Sequence, residues 1–196
     1  MPNGTLIIRA DASIAMGTGH VMRCLALAQA WQDQSGHEQG GQCVFAMAET
    51  TAGCEERLRT EKVAVAAVAA IPGTLQDAAQ LAELALARNA SWIVVDGYQF
   101  DVRYQSHLKA AGLKVLVVDD TGHAGAYVAD LVLDQNAHAT KDFYQRRESY
   151  SQLLLGPRYA LLRREFKSWR EWKREIAPIA RKVLVTVGGT DPDNLT

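Results

Sequence analysis

Short apolar runs alternate with amphipathic stretches along the first two thirds of the chain. Apolar residues recur at spacings of three and four, as at Val21, Cys24, Leu25 and Ala28, and this spacing predicts helices. The apolar runs between such stretches predict strands over residues 5–9, 42–47, 63–68, 92–95 and 115–118. The continuous run 92–95 is typical of a strand buried on both faces. The alternation predicts an α/β fold, a Rossmann-like parallel sheet with helices on both faces.

The second half of the chain follows this pattern less regularly. Two short apolar runs, at 131–133 and 153–155, predict further strands. The highly charged stretch Arg163–Glu175 predicts a surface helix that ends before Pro178. Its single apolar stripe consists of three aromatic residues spaced three apart: Phe166, Trp169 and Trp172.

The end of the chain carries a fresh apolar run, Val183–Val187, which predicts a new buried strand. The backbone N–H groups of a glycine loop after a strand bind phosphate, which makes nucleotide-binding candidates of Gly188, Gly189 and Thr190. We therefore predict one catalytic domain over 1–180. Residues 181–196 are expected to begin a C-terminal nucleotide-binding domain that is cut off.

The composition argues against several classes of function. The 196 residues carry a net charge of −1, so no electrostatic case exists for a nucleic-acid partner. No apolar run approaches the roughly 20 residues of a membrane helix, and no signal peptide is recognisable. Cys24, Cys43 and Cys54 lack metal-site spacing and predict free thiols in a reducing cytoplasm. We expect a cytoplasmic protein without a metal or cofactor.

The strongest candidate for chemistry is His20, at the turn between the first strand and the first helix. Gly17 and Gly19 let the backbone turn tightly there beside a ligand, because glycine adopts positive φ without steric cost. The positive end of a helix disfavours an imidazolium. We therefore expect a neutral His20 that acts as a general base. Asp11, in the same loop, either orients His20 or binds a substrate hydroxyl, or it is a solvated loop residue.

The two glycines also raise the possibility of a dinucleotide site. The fingerprint G-x-G-x-x-G fails, however, because Met22 occupies the third glycine position. No acidic residue follows a suitable second strand, so a nicotinamide cofactor is disfavoured.

Polar residues end the other predicted strands and are candidates for substrate binding. Asp96 and Tyr98 follow one buried strand, and Asp119 and Asp120 follow the next. Such carboxylates bind substrate hydroxyls or cap the following helices, and Asp101 already serves as the cap after Tyr98. Three further polar residues are weaker candidates: Arg23, which would meet a phosphate or a neighbouring carboxylate, Asn136 and His138.

Seven segments resemble, in the same order, a family of nucleotide-sugar hydrolases. They are Arg9–Ser13, Gly17–Leu25, Val95–Tyr98, Val118–Asp120, Leu133–Asn136, Leu155–Arg163 and Val187–Pro192. The family is the UDP-2,4-diacetamido-2,4,6-trideoxy-β-L-altropyranose hydrolases of pseudaminic acid biosynthesis. It is similar in fold to two-domain GT-B glycosyltransferases of the MurG type, and the resemblance covers essentially the whole chain.

The resemblance implies a fold, a reaction and roles for single residues. The fold would be the N-terminal domain of a GT-B protein, monomeric when full length, whose missing C-terminal domain holds most of the UDP. Water would attack the anomeric carbon, UDP would leave, and the configuration would invert without a metal. His20 matches the base, Tyr98 an active-site tyrosine near the sugar, and Asp11, Gly17 and Gly19 the substrate-side loop.

Two expectations complete this interpretation. The 196-residue chain alone should be inactive or nearly so, with weak affinity for UDP, because the second domain is absent. The main alternative is a GT-B glycosyltransferase domain, in which a sugar or lipid acceptor replaces water. A non-catalytic module that binds a sugar nucleotide or a protein is the other alternative.

Overall fold

The computed structural model describes residues 4–34 and 41–185, and its strands form a seven-stranded sheet. The strands are β1 (Thr5–Ala10), β2 (Cys43–Met47), β3 (Ala64–Ala67), β4 (Ala90–Asp96), β5 (Val115–Val118), β6 (Leu131–Asp134) and β7 (Gln152–Leu155). The α-helices are α1 (Gly19–Gln34), α2 (Ala52–Thr60), α3 (Leu75–Ala87) and α4 (Val102–Ala110). Short 3₁₀ helices follow at Lys141–Tyr144, Pro157–Tyr159 and Arg164–Trp169. This architecture confirms the predicted α/β class.

All neighbouring strands run parallel, in the order β3-β2-β1-β4-β5-β6-β7. The order reverses between β1 and β4, whose last residues Ala10 and Asp96 lie opposite each other in the register. Open α/β sheets bind ligands in the crevice outside the carboxyl ends of the strands at such a switch point. The topology thus places the loop before α1 and the loop after β4 beside one crevice.

Side chains of the central strands enter two apolar layers, because successive residues of a strand point to opposite faces. Ile7 and Val95 pack with α3 and α4 on one face, whereas Ile8 and Val94 pack with α1 on the other. These four residues are at most 2% exposed. The continuous apolar runs of the sequence reflect this burial on both faces.

Helices α3 and α4 begin with side-chain caps, and the cap at Asp101 is predicted from the sequence. The Thr74 hydroxyl accepts a hydrogen bond from the Asp77 N–H, and the Asp101 carboxylate accepts from the N–H groups of Arg103 and Tyr104. These bonds satisfy backbone donors that lack partners within the first helical turn. Because Asp101 caps α4, Asp96 at the end of β4 is left for other contacts.

The helix predicted over Arg163–Glu175 is wrong. The structure has a 3₁₀ helix at Arg164–Trp169, and Trp169 and Trp172 meet edge-on at 5.5 Å. A 3₁₀ helix has three residues per turn, so side chains spaced three apart eclipse one another. The aromatic spacing of three matches that period better than the 3.6 of an α-helix.

The buried strand predicted at Val183–Val187 is also not formed in the described part. Val183, Leu184 and Val185 are 80%, 88% and 66% exposed and belong to no strand. An apolar run is buried as a strand only where other strands pair with it, and none of the described strands does so. The division of the chain into 1–180 and 181–196 stays a prediction.

Candidate functional site at the carboxyl edge of the sheet

Side chains from α1 and from the ends of β4, β5 and β6 meet at the carboxyl edge of the sheet. The group comprises six of the residues that the sequence analysis proposed, namely His20, Arg23, Asp96, Tyr98, Asp120 and Asn136. Parallel strands end at the same edge, so residues separated by up to 97 positions come into contact. We refer to these six residues as the edge cluster.

His20 is the second residue of α1 and contacts the carboxylate that ends β4. Its Nδ1 lies 2.7 Å from Asp96 Oδ1, and the Asp96 side chain is fully buried. An ionised carboxylate accepts hydrogen bonds and donates none, so Nδ1 carries the proton in this pair. In a neutral imidazole with that proton, the lone pair lies on Nε2.

Arg23, one turn further along α1, lies between two carboxylates. Its Nε and Nη2 each donate to Asp96 at 2.6 Å, and its Nη1 donates to both Asp120 oxygens at 2.7 and 2.8 Å. Burial alone would raise the pKa of Asp96, but the hydrogen bonds and charges of Arg23 and His20 outweigh it and lower that pKa. The sequence analysis left a phosphate and a neighbouring carboxylate open as partners of Arg23. In the structure its partners are the carboxylates of Asp96 and Asp120.

The Asp120 carboxylate accepts hydrogen bonds from the two remaining members of the edge cluster, Tyr98 and Asn136. The Tyr98 hydroxyl donates to Oδ2 at 3.3 Å, and Asn136 Nδ2 donates to Oδ1 at 2.9 Å. Burial and the nearby Asp120 charge raise the pKa of Tyr98, so its hydroxyl stays protonated near neutral pH. His138, a weaker candidate in the sequence analysis, contacts the backbone carbonyl of Asp120, which lies 3.2 Å from its Nε2.

Of the two predicted turn glycines, Gly17 alone takes the left-handed conformation. Gly17 has φ of 78° and its N–H bonds the Ser13 carbonyl at 2.8 Å, whereas Gly19 is the first residue of α1. A side chain at position 17 would be strained by that φ. Gly19 does not have positive φ, so that expectation is wrong, and a Cβ there would meet open space.

Asp11 does not join the edge cluster. Its fully buried carboxylate accepts from Arg9 Nη1 at 2.6 Å and from the N–H groups of Ala48 and Glu49 at 2.7 and 3.2 Å. Arg9 also pairs with Asp77 at 3.0 Å. Asp11 thus contributes to a buried ion-pair network that joins β1 to β2 and α3. Of the alternatives left open for it, the contact with His20 is not formed, and its burial rules out a solvated loop residue.

Three candidates lie outside the described residues. Gly188, Gly189 and Thr190 were predicted to bind a nucleotide, and that role stays a prediction.

Sequence reasoning missed two neighbours of the edge cluster. The Cys24 thiol donates to Asp96 Oδ2 at 3.2 Å, and burial raises its pKa well above the ordinary value. His123 contacts both Asp119 and the Tyr98 ring. A helical spacing of four from His20 marks Cys24 as a neighbour of that turn, whereas no sequence pattern points to His123, which lies in an irregular loop.

The described residues contain no group of three or more His, Cys, Asp or Glu side chains arranged to hold a metal ion. None of their helices has both the length and the apolar character needed to cross a lipid bilayer.

Acid should destabilise the fold through the carboxylates of this edge. Hydrogen bonds and charges outweigh burial and lower the pKa of both Asp96 and Asp119, so each releases its proton more readily in the folded chain than in the unfolded chain. The stabilisation is present above pH about 4 and is lost as the pH falls below it. We expect the urea midpoint to fall steeply below that pH, and less steeply in Asp119→Asn. Glu83→Gln, which removes an exposed carboxylate of α3, is the control; equal slopes in all three proteins would contradict the expectation.

Comparison with known proteins gives a likeness in structure. No family model matches the chain, and no curated protein matches it in sequence. Among solved structures, MurG from Acinetobacter baumannii superposes with a TM-score of 0.51 at 15% sequence identity. The match covers 77% of this chain and 45% of the MurG chain.

The likeness confirms the predicted fold, a Rossmann-like domain of the kind found in GT-B proteins. At 15% identity it concerns the fold alone. Membership of the hydrolase family that the sequence resembles therefore stays a prediction, as does its reaction.

Proposed function

We propose that this chain carries the sugar side and the catalytic histidine of a nucleotide-sugar hydrolase. The enzyme would release UDP from a UDP-diacetamido-trideoxyhexose in pseudaminic acid biosynthesis, by attack of water at the anomeric carbon with inversion. The observation that carries the proposal is the pair of His20 and buried Asp96, which lies where open sheets bind ligands. The pair directs the proton of His20 to Nδ1 and leaves Nε2 as the base.

The chemistry follows from that pair. His20 Nε2 takes a proton from water while the water oxygen bonds to the anomeric carbon. The bond between that carbon and the UDP oxygen breaks, and its electron pair leaves with UDP. Asp96 stabilises the imidazolium, which then returns its proton to solvent. A single displacement places the new hydroxyl on the opposite face of the sugar, which is inversion.

The charge of the edge supports a role in binding the sugar. Arg23 is the cation of the edge cluster, and all of its nitrogens are engaged by Asp96 and Asp120. Asp119 and Asp134 lie buried at the ends of the neighbouring strands. An excess of carboxylate disfavours a diphosphate and suits hydroxyl and amide donors. In this proposal the diphosphate is bound elsewhere, with Gly188, Gly189 and Thr190 as candidates.

Asp96→Asn tests the reaction through the orientation of His20. The amide removes the negative charge that holds the Nδ1 proton and stabilises the imidazolium, so we expect the kcat of UDP release to fall about 10²-fold or more. The assay uses the gene product that contains this chain and UDP-2,4-diacetamido-2,4,6-trideoxy-β-L-altropyranose. Asp101→Asn, which retains a capping side chain at α4, is the control. Wild-type turnover in Asp96→Asn would overturn the role of the pair.

The same assay separates hydrolysis from glycosyl transfer. UDP release by the wild-type gene product should proceed without any acceptor, and the product should be the free sugar. Release that requires an added sugar or lipid acceptor would favour the glycosyltransferase instead, with the acceptor hydroxyl in place of water.

A further inference from the structure

A second pair of imidazole and carboxylate lies beside the edge cluster, in the loop after β5. His123 Nδ1 is 3.0 Å from Asp119 Oδ2, and Asp119 is fully buried. Asp119 Oδ1 accepts from the N–H groups of Thr121 and Gly122 at 2.7 and 2.8 Å, and Tyr127 donates to Oδ2. Asp119 therefore ties its own loop together and lies directly beside the His123 ring.

The Tyr98 ring is held edge-on between the two imidazoles. Its centroid lies 5.3 Å from that of His20 at an interplanar angle of 80°, and 5.4 Å from that of His123 at 84°. Edge-to-face contacts at this separation are favourable. Tyr98 is 60% exposed, and its hydroxyl has one long hydrogen bond, to Asp120. The two imidazoles thus supply two contacts that help to fix the direction of this exposed ring.

We propose that His123 is a positioning residue, which holds Tyr98 against His20 and so maintains the geometry of the edge cluster. Both ring nitrogens of His123 are shielded from solvent, so neither is available to hydrogen-bond a sugar, and the residue acts through Tyr98. The effect of this role on catalysis rests on the proposed hydrolase function. The effect on the direction of the Tyr98 ring is independent of that function.

The kinetic test is a double-mutant cycle on UDP release from UDP-2,4-diacetamido-2,4,6-trideoxy-β-L-altropyranose by the gene product. His123→Ala should lower kcat/KM about ten-fold, because it removes the edge-to-face contact that holds Tyr98 beside His20. In a Tyr98→Ala background the same change should cost less than about two-fold, since the contact is already gone. His107→Ala on α4 is the matched control. Equal effects of His123→Ala in both backgrounds would overturn the proposal.

A spectroscopic test on the 196-residue chain needs no substrate. In His123→Ala the ring protons of His20 should change chemical shift, because the Tyr98 ring turns relative to His20, whereas His107→Ala should leave them in place. Unchanged shifts would overturn the proposal. Changed shifts together with a wild-type protein that releases no UDP would refute the hydrolase and leave the positioning role standing.

His123→Phe provides the second variant, in case His123→Ala does not fold. Phenylalanine keeps the aromatic edge and loses the contact with Asp119, which retains its three other donors. We expect kcat/KM to recover to within about three-fold of wild type. A rate as low as that of Tyr98→Ala would show that the aromatic contact is not what matters.

Discussion

Replacing His20 by Asn should lower the kcat of UDP release about 10²–10⁴-fold, the range that a general base contributes. Asparagine keeps an N–H that can donate to Asp96, where His20 Nδ1 lies 2.7 Å from the carboxylate. It has no equivalent of Nε2, so water loses the group that accepts its proton. Steady-state kinetics of the gene product measures the loss, and calorimetric titration with the UDP-sugar should give wild-type affinity.

His107→Asn on α4 is the control for this change, because it makes the same substitution away from the edge cluster. It should retain wild-type kcat. Unchanged turnover in His20→Asn would refute the assignment of the base. A large loss of affinity with kcat retained would instead make His20 a binding residue.

Arg9→Met should destabilise the fold by about 3–5 kcal/mol, the cost of removing one partner of a buried ion pair. The guanidinium is fully buried, donates to Asp11 and Asp77, and lies over the Phe100 ring at 5.1 Å. Methionine of similar length leaves two carboxylates buried without their cation. Urea unfolding of the 196-residue chain, followed by circular dichroism, measures the effect.

The exposed Arg103 of α4 is the matched control, and Arg103→Met should change stability by less than about 0.5 kcal/mol. A similarly small change in Arg9→Met would contradict the structural role of the network. Asp11 belongs to the same network, because it pairs with Arg9 at 2.6 Å. Replacing Asp11 should therefore lower the stability of the fold rather than sugar binding directly.

The strands and helices of the first half were predictable because their burial is simple. A strand covered on both faces must be apolar along its length, and β4 and β5 are read directly from such runs. The cap at Asp101 was equally local, because a capping bond spans two or three residues. The stretch after Arg163 was mispredicted as an α-helix. Its residues are charged and exposed, so no buried face selects the 3.6-residue period of an α-helix.

The edge cluster was predictable in its members and not in its contacts. Polar residues after apolar runs indicated Asp96, Tyr98 and Asp120, and the glycine turn indicated His20. Asp11 followed the same rule and was placed wrongly, because its partner Arg9 lies within a strand that otherwise appears apolar. A buried arginine attracts the nearest carboxylates, and nothing local shows which of them it meets.

By itself, the sequence determined the α/β class, the order of the elements and the loops that end at one edge of the sheet, since these depend on local periodicity and turn chemistry. The tertiary structure alone decided the partners: Asp96 with His20, Arg23 between Asp96 and Asp120, and His123 beside Tyr98. These contacts join residues up to 97 positions apart. Side-chain pairing over such separations depends on strand order and register, which no local pattern encodes.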